Sequence, residues 1–543
     1  MLSSLKQLSN QPSLHNPSTC SRRPRSEIRR AHAATFALAH FGTFTKTVAI
    51  MSLIQIFVSV IATLLLYVIA NAIYRLYFHP LRNFPGPIIS AASRIPWHIA
   101  TWSGTRDHVL IELHAKYGHV VRINPNELSF TQADAWKDIY GHGTKNTRGT
   151  LPEKDWAKYN RGINGASSLV NASPEDHGRM RKIFTPAFSD RALKQQEPLL
   201  MKYIDLLVSK LREGLQEIPE KKWDMVRMYN FTTFDIMGDI TFGEPLHMLE
   251  NAEYDPWVRA ILAGLIFSAR LEIFSGYKYF WSVFRTMMRR MNRRRRTHLS
   301  HSIDRVTKRL EKGRDSQGVD LWDLVLGQKE GRGLSRAEMD SNAALFMVAG
   351  TETTATLVSG LTYYLLRNPA AMQKLVEEIR TTFSNDSDMI MEKLAALPYL
   401  NACIKETFRI YPPVPLTMPR VVPEDGSTIV GQFIPPGTSV GIPQHATYMQ
   451  PRNFTMPTQY VPERWLGDER FERDQRHAVQ PFSVGTRDCI GKNMAYHEMR
   501  LLIAKVFFNF DIELCPESRD WSDQRTFVLW QKKPLMCRLK AVR

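Results

Sequence analysis

The sequence predicts a mostly α-helical domain with small β-sheets, preceded by a single N-terminal transmembrane helix. Three observations carry that expectation. An uncharged run, Val48–Ala70, "VAIMSLIQIFVSVIATLLLYVIA", is long enough at ~1.5 Å per residue to cross a ~30 Å hydrocarbon core. Helical periodicity dominates residues 175–215, 255–312, 335–367, 369–384 and 394–410. β signals are short and confined to 118–130, "GHVVRINPNELSF", and to 413–447.

With 543 residues, 43% of them apolar, the chain can build a large core and is not of the disordered class. Its five cysteines, Cys20, Cys403, Cys489, Cys515 and Cys537, are scattered and odd in number, which argues against a disulfide framework and for a reducing compartment. The net charge of +18 is uneven. Residues 1–50 hold seven basic residues and one acid, Glu27, and residues 285–296, "RTMMRRMNRRRR", hold seven arginines and no acid. Together these two stretches carry +13 of the +18. The arginine run reads either as a solvated helix face or as a contact for anionic lipid or an acidic protein. No recognition motif accompanies it, so nucleic acid is not an expected partner.

In chain order, residues 1–47 form a basic extension, either a targeting leader or sequence upstream of a true start at Met51. Residues 48–73 are the expected anchor, with Ser52, Gln55, Ser59 and Thr63 on one helical stripe. A cleaved signal peptide is a poorer reading, because the run is too long and no small-residue cleavage site follows. Arg29, Arg30 and Lys46 before the span balance Arg75, Arg82 and Arg94 after it, so the charge count does not set the orientation. A start at Met51 would leave no basic residue before the helix and keep the bulk of the chain cytosolic. Residues 74–87, "YRLYFHPLRNFPGP", hold three prolines and a glycine and read as a stiff hinge. Residues 88–543 then run without linker or repeat.

The region 335–367 carries its own boundary signals. Ser335 and Glu338 form a capping box, with Leu334 and Met339 at staple positions, and "RNP" at Arg367–Pro369 ends the helix. In its middle stands "AGTETTAT", Ala349–Thr356, whose Gly and Thr residues weaken helix propensity. One reading is a tolerated irregularity. The other is a local widening that aims Glu352 and Thr353 into a pocket, with Leu345, Ala349 and Thr353 sharing a face. Further on, "KETFR" sets Glu406 and Arg409 at i, i+3, close enough to pair. "IYPPVPLTMPR", ending at Arg420, and "PERW", containing Arg464, follow. Earlier, His177 and Arg181 lie at i, i+4, either as part of an exposed basic helix or as donors to a ligand's carboxylates.

Cys489 lies in "PFSVGTRDCIGKNMA", Pro481–Ala495. No His base in a hydrolase pattern accompanies it, and an inert buried Cys would need neither Gly485 nor Gly491. The glycines suggest close approach of something flat or bulky, and Arg487 offers a fork for a carboxylate. A thiolate facing a metal-bearing macrocycle fits all of this.

Phe482, Gly485, Arg487, Cys489 and Gly491 resemble the haem-binding signature of the cytochrome P-450 monooxygenases. "AGTETT" resembles their oxygen-activation helix, and Glu406 and Arg409 with Arg464 their ion-pair triad. The resemblance runs from about residue 74 to the end. The anchor and hinge look like those of fungal microsomal hydroxylases of secondary metabolism. It implies the cytochrome P-450 fold, haem b with an axial thiolate from Cys489, Phe482 packed beside the sulfur, and Arg487, His177, Arg181 and Arg420 around the propionates. Many members carry Trp where this chain has His177. It further implies proton delivery by Glu352 and Thr353, a structural role for Glu406, Arg409 and Arg464, and a substrate bordered by Leu345, Ala349, Val414, Leu416 and Thr417. The implied partners are O2, an apolar small molecule of terpenoid or polyketide type, an NADPH-cytochrome reductase, cytochrome b5 and the endoplasmic reticulum membrane, with the catalytic domain cytosolic. The alternatives are a haem-thiolate isomerase or dehydratase and a non-catalytic haem-binding protein.

Overall fold

The computed structural model describes residues 25–142, 151–159, 165–275, 293–313, 320–326 and 333–542. The chain divides into two compact units, Met1–Tyr74 and Arg75–Arg543. In the first, the described residues form one helix, Arg25–Ile73, which begins well inside the segment read as an extension. An 18-residue stretch within Ile50–Phe78 has a mean hydropathy of 2.5, and none of that stretch is buried. The expected hinge opens on a π-helical turn, Tyr74–Phe78, before its prolines stop the helix.

The second unit is mostly helical. Several expected helices are split where the sequence supplies a reason. The periodicity over 175–215 yields two helices, Pro174–Phe184 and Asp190–Glu217, separated by a 3-10 turn containing Pro186. Ser173 and Ser189 cap them, accepting from Asp176 N and Ala192 N. The stretch 255–312 gives Pro256–Ser275 and Arg293–Glu311. Of the arginine run, residues 285–292 lie outside the described residues, and the last four open the second of these helices.

The region 335–367 begins at the expected capping box, with both reciprocal bonds between Ser335 and Glu338 made. It is not one helix, however. It runs as Arg336–Ala349 and Glu352–Arg367, interrupted at Gly350 and Thr351. Two local causes coincide. Met237 Sδ, from the neighbouring helix Met225–Phe242, lies 2.7 Å from where a Cβ on Gly350 would stand, so a side chain there would have to displace it. The hydroxyls of Thr351 and Thr353 also bond back to the carbonyls of Met347 and Ala349, at 2.6 and 2.7 Å. Both halves are apolar and largely buried, as a helix through the core must be.

The helices Met225–Phe242, Glu352–Arg367, Pro398–Ile410 and Lys492–Asn509 supply the centre of the core, where Trp257, Trp322 and Trp521 are fully buried. Small sheets lie outside it. The hairpin expected in 118–130 is Val120–Asn124 with Glu127–Phe130. It continues through Ser439–Gly441 and Arg420–Val421 to Glu153–Lys154, making five strands. This last pairing sets Lys154 directly opposite Arg420. The C-terminal strand Met536–Ala541 sits between Lys222–Asp224 and Phe510–Leu514 in a three-stranded sheet.

Candidate active site

The loop Phe482–Gly491 is shaped by its own backbone. Ser483 and Gly485 both take left-handed φ, +61° and +84°. A Cβ on Gly485 would meet the carbonyl oxygen of Tyr140 at 1.9 Å, so this glycine is required by the protein's own packing. Gly491 differs: the nearest atom to its would-be Cβ is on the Phe188 ring, 3.9 Å away. The turn is closed by Cys489 N–H donating to Phe482 O at 2.9 Å, and the helix Lys492–Asn509 starts at once. The Phe482 ring packs on Phe408 and Tyr496, at 5.2 and 5.3 Å between centroids.

Cys489 is exposed, whereas Cys403, Cys515 and Cys537 are buried. Burial nevertheless pushes its thiol upward, with Asp488 adding to the shift. Ala349, in the middle of an otherwise buried helix region, is likewise exposed. The two sides are linked: the Phe188 ring lies 6.1 Å from Phe346, one turn before the helix break. Thr353, just after the break, is half-buried with its hydroxyl on Ala349 O.

Positive groups gather near the cysteine loop. Arg487 donates to Ala172 O at 2.9 Å and, among the described residues, leaves Nη1 buried without a partner. Arg420 stacks over Tyr140 at 5.3 Å, with its Nε likewise unpartnered among the described residues. Lys154, absent from the sequence-based site, faces Arg420 across the strand pair and donates to Val170 O. None of the three is ion-paired among the described residues. Like charges opposite each other in a sheet repel. Burial, with Arg420, pulls Arg487 down to about 10. Burial, with Arg487 and Arg420, pulls Lys154 down to about 7. Burial and the surrounding cations bring His177 to about 4, so this imidazole is neutral.

The surroundings of the other expected positions differ. Arg181 lies beside this cluster but is taken by Asp488, donating to its carboxylate at 2.5 Å and its carbonyl at 2.7 Å. Glu352 is buried and ion-paired with Lys532, Nζ to Oε2 2.8 Å. Leu416 is buried in a small cluster with Leu110, Val121, Ile123 and Ala446. The Thr417 methyl occupies the space over Gly441, and its hydroxyl is buried without a partner among the described residues. Val414 is half-buried, and Leu345 packs partly on the main core.

Glu406 and Arg409 are paired and fully buried, at 2.7 Å, and Arg464 lies 3.4 Å from the same carboxylate. The triad is wider than expected, since the closer partner of Arg464 is Asp474. Two arginines thus meet two carboxylates. Sequence spacing also did not disclose Glu498, nine residues after Cys489. Its buried carboxyl takes a hydrogen bond from Thr354 and is pushed up to about 8 by burial. It ties the helix that follows the cysteine loop to the one that carries Thr353.

Residues 95–538 match the Cytochrome P450 family. The chain is 48% identical over 486 residues to the cytochrome P450 monooxygenase efuB of Hormonema carpetanum, covering 88% of this chain and 95% of that protein. It is 46% identical over 478 residues to the cytochrome P450 monooxygenase FUM2 of Gibberella moniliformis, covering 87% and 100%. Against the cytochrome P450 monooxygenase lcsI of Purpureocillium lilacinum the identity is 42% over 484 residues, covering 88% and 93%. The chain belongs to the cytochrome P450 family, whose members bind haem through a cysteine thiolate and act as monooxygenases.

Proposed function

We propose that this protein is a membrane-anchored monooxygenase that oxidises an apolar terpenoid or polyketide-type molecule, with Cys489 as the axial thiolate. Electrons come from NADPH through a separate reductase, with cytochrome b5 as a second donor. The observation that carries the reading is the one exposed thiol among the described residues, held on a closed backbone turn. The surroundings fit a haem. Unpaired positive charge on Arg420, Arg487 and Lys154, with two buried guanidinium nitrogens lacking partners among the described residues, suits a ligand bearing two carboxylates. At Gly491 the nearest atom to a would-be Cβ is 3.9 Å away on Phe188, which suits a flat group next to the sulfur.

When bound, the haem supplies oxygen activation: substrate, O2, NADPH and one proton become hydroxylated product, water and NADP+. The chain's own residues position and protonate. Arg420, Arg487 and His177 would hold the carboxylates, and Arg181 braces the loop through Asp488. Ala349 and Thr353 border the substrate and the water that brings protons, and Glu352 feeds that water. The glutamate–arginine network of Glu406, Arg409 and Arg464 keeps the fold on the cysteine side. The bare apolar helix from Ile50 to Phe78 supports an anchor. We place it in the endoplasmic reticulum with the catalytic domain cytosolic. The substrate class rests on the resemblance of the anchor and hinge.

Cys489→Ala should abolish the thiolate-type absorption band of the reduced carbon monoxide complex. Wild type with reductase should consume NADPH and hydroxylate members of a panel of apolar terpenes and alkyl polyketides. A variant that keeps the band removes Cys489 from its role. Turnover of the panel without NADPH would point instead to an isomerase or dehydratase.

A further inference from the structure

The Lys532 ammonium uses its three protons on three acceptors. It donates to Glu352 Oε2 at 2.8 Å, Thr356 Oγ1 at 3.0 Å and Asn230 Oδ1 at 3.2 Å. Asn230 is fixed in turn, donating to the Tyr254 hydroxyl at 2.9 Å. Both charged side chains are almost wholly buried, 5% exposed for Lys532 and 4% for Glu352. Lys532 comes from the C-terminal segment just after the strand Trp530–Gln531, and so reaches the helix break from outside the helix.

Two physical points make this arrangement unlike ordinary packing. Glu352 and Thr356 lie in the first turns of the helix Glu352–Arg367. A cation at a helix N-terminus opposes the macrodipole, so Lys532 is favourable there only through the carboxylate. A buried ion pair also stabilises a fold no better than apolar residues of the same volume, so its presence asks for another reason. Moreover, Glu352 Oε1 is buried and has no hydrogen-bond partner among the described residues. The clamp therefore holds one oxygen and leaves the other as an open acceptor one residue before Thr353.

We propose that Lys532 is the positioning residue of the proton relay, holding Glu352 by Oε2 so that Oε1 stays free to take up and pass on a water-borne proton. This rests on the reading of Glu352 and Thr353 given above. The other titratable groups that feel Glu352 are the phenols of Tyr254 and Tyr411, both kept protonated by burial. Lys532 is thus the one cation bonded to this carboxylate among the described residues. Without it, the buried carboxylate would hold a proton instead of passing one.

The test uses full-length enzyme with reductase and the panel compound that wild type oxidises fastest. Lys532→Met should lower product per NADPH about tenfold, within the range of a lost proton-transfer group, and leave KM within about twofold. The pH profile of that ratio should shift, and Lys532→Arg should restore it to within about threefold. Glu352→Gln should show the same loss, and the double variant should be no worse than Glu352→Gln alone. A second measurement needs no turnover. In urea unfolding, Lys532→Met should lose stability as pH rises from roughly 5 to 8, and Glu352→Gln/Lys532→Met should not. Wild-type coupling in Lys532→Met at every pH overturns the proposal, as does a flat unfolding profile. If Lys532→Met does not accumulate, the double variant, which buries no lone charge, decides: a further tenfold loss beyond Glu352→Gln overturns it. If wild type hydroxylates nothing in the panel, the functional reading fails, and the unfolding comparison still shows whether Lys532 sets the charge of Glu352.

Discussion

The Arg409 guanidinium lies side-on against the Glu406 carboxylate, Nε to Oε2 3.0 Å and Nη2 to Oε1 2.7 Å, with neither side chain exposed. Every remaining donor has a destination. Arg409 also donates to the carbonyls of Pro457 and Gln459, at 2.6 and 2.8 Å. Glu406 further accepts from Val461 N at 3.0 Å and Trp465 Nε1 at 2.9 Å. The pair therefore pins the chain from 457 to 465 to the helix Pro398–Ile410. Glu406→Ala would leave Arg409 buried without its carboxylate. Removing one partner of such a pair costs ~3–5 kcal/mol, against ~5–15 kcal/mol for a whole fold. The expected outcome is little haem-loaded protein and a lowered denaturation midpoint. Normal haem loading with slow turnover would contradict a structural role.

Lys154 should give the haem-free protein a pH-dependent stability. Its value is about 7 in the fold, depressed by burial, Arg487 and Arg420, against ~10.4 when unfolded. A depressed folded value means the unfolded chain binds the extra proton, so stability is complete above ~10.4 and is lost as pH falls through about 7. Lys154→Met should flatten the profile between about pH 7 and 10 and raise stability at pH 7. Binding haem should flatten it in wild type too, because the carboxylates let Lys154 keep its charge. Urea midpoints across that range, with and without haem, check both statements.

Glu498 should act with the opposite sign. Its carboxyl is raised to about 8 by burial, against ~4.3 unfolded. Its contribution is complete below ~4.3 and lost as pH rises through about 8. Glu498→Gln keeps the shape and the capacity to accept from Thr354 but cannot ionise. It should match wild type near pH 5 and exceed it at pH 9 in thermal unfolding. An identical pH dependence in the two proteins would mean that Glu498 is not the buried acid described.

Thr353→Val should uncouple oxygen consumption from product. Valine keeps the β-branch, and what disappears is a hydroxyl that, among the described residues, bonds Ala349 O, so the helix should survive. NADPH should still be consumed while peroxide rises and product per NADPH falls by ~10- to 100-fold. Product, NADPH and peroxide measured in one reaction decide it. An unchanged ratio would reduce Thr353 to a helix residue.

What the sequence could determine by itself was whatever depends on near neighbours. The capping box at Ser335 and Glu338 spans three residues, and the i, i+3 pair Glu406–Arg409 a single turn, and both stand where they were expected. The cysteine loop was legible for the same reason: its turn is closed between Phe482 and Cys489. Family membership followed from the order of such local pieces. Tertiary structure decided what depends on partners brought from afar. Met237, from another helix, takes the space at Gly350 and helps break the helix that periodicity predicted as continuous. Lys532 reaches Glu352 across 180 residues, and no local pattern marks it. Lys154 joins the cation cluster only because a two-residue strand pairs with Arg420. Leu416 was assigned to the pocket from its place in a motif, yet the chain turns it into a small core. Periodicity and spacing report which face a residue shares with its neighbours along the chain; which surface that face meets, and with what charge, is settled when the distant segments pack.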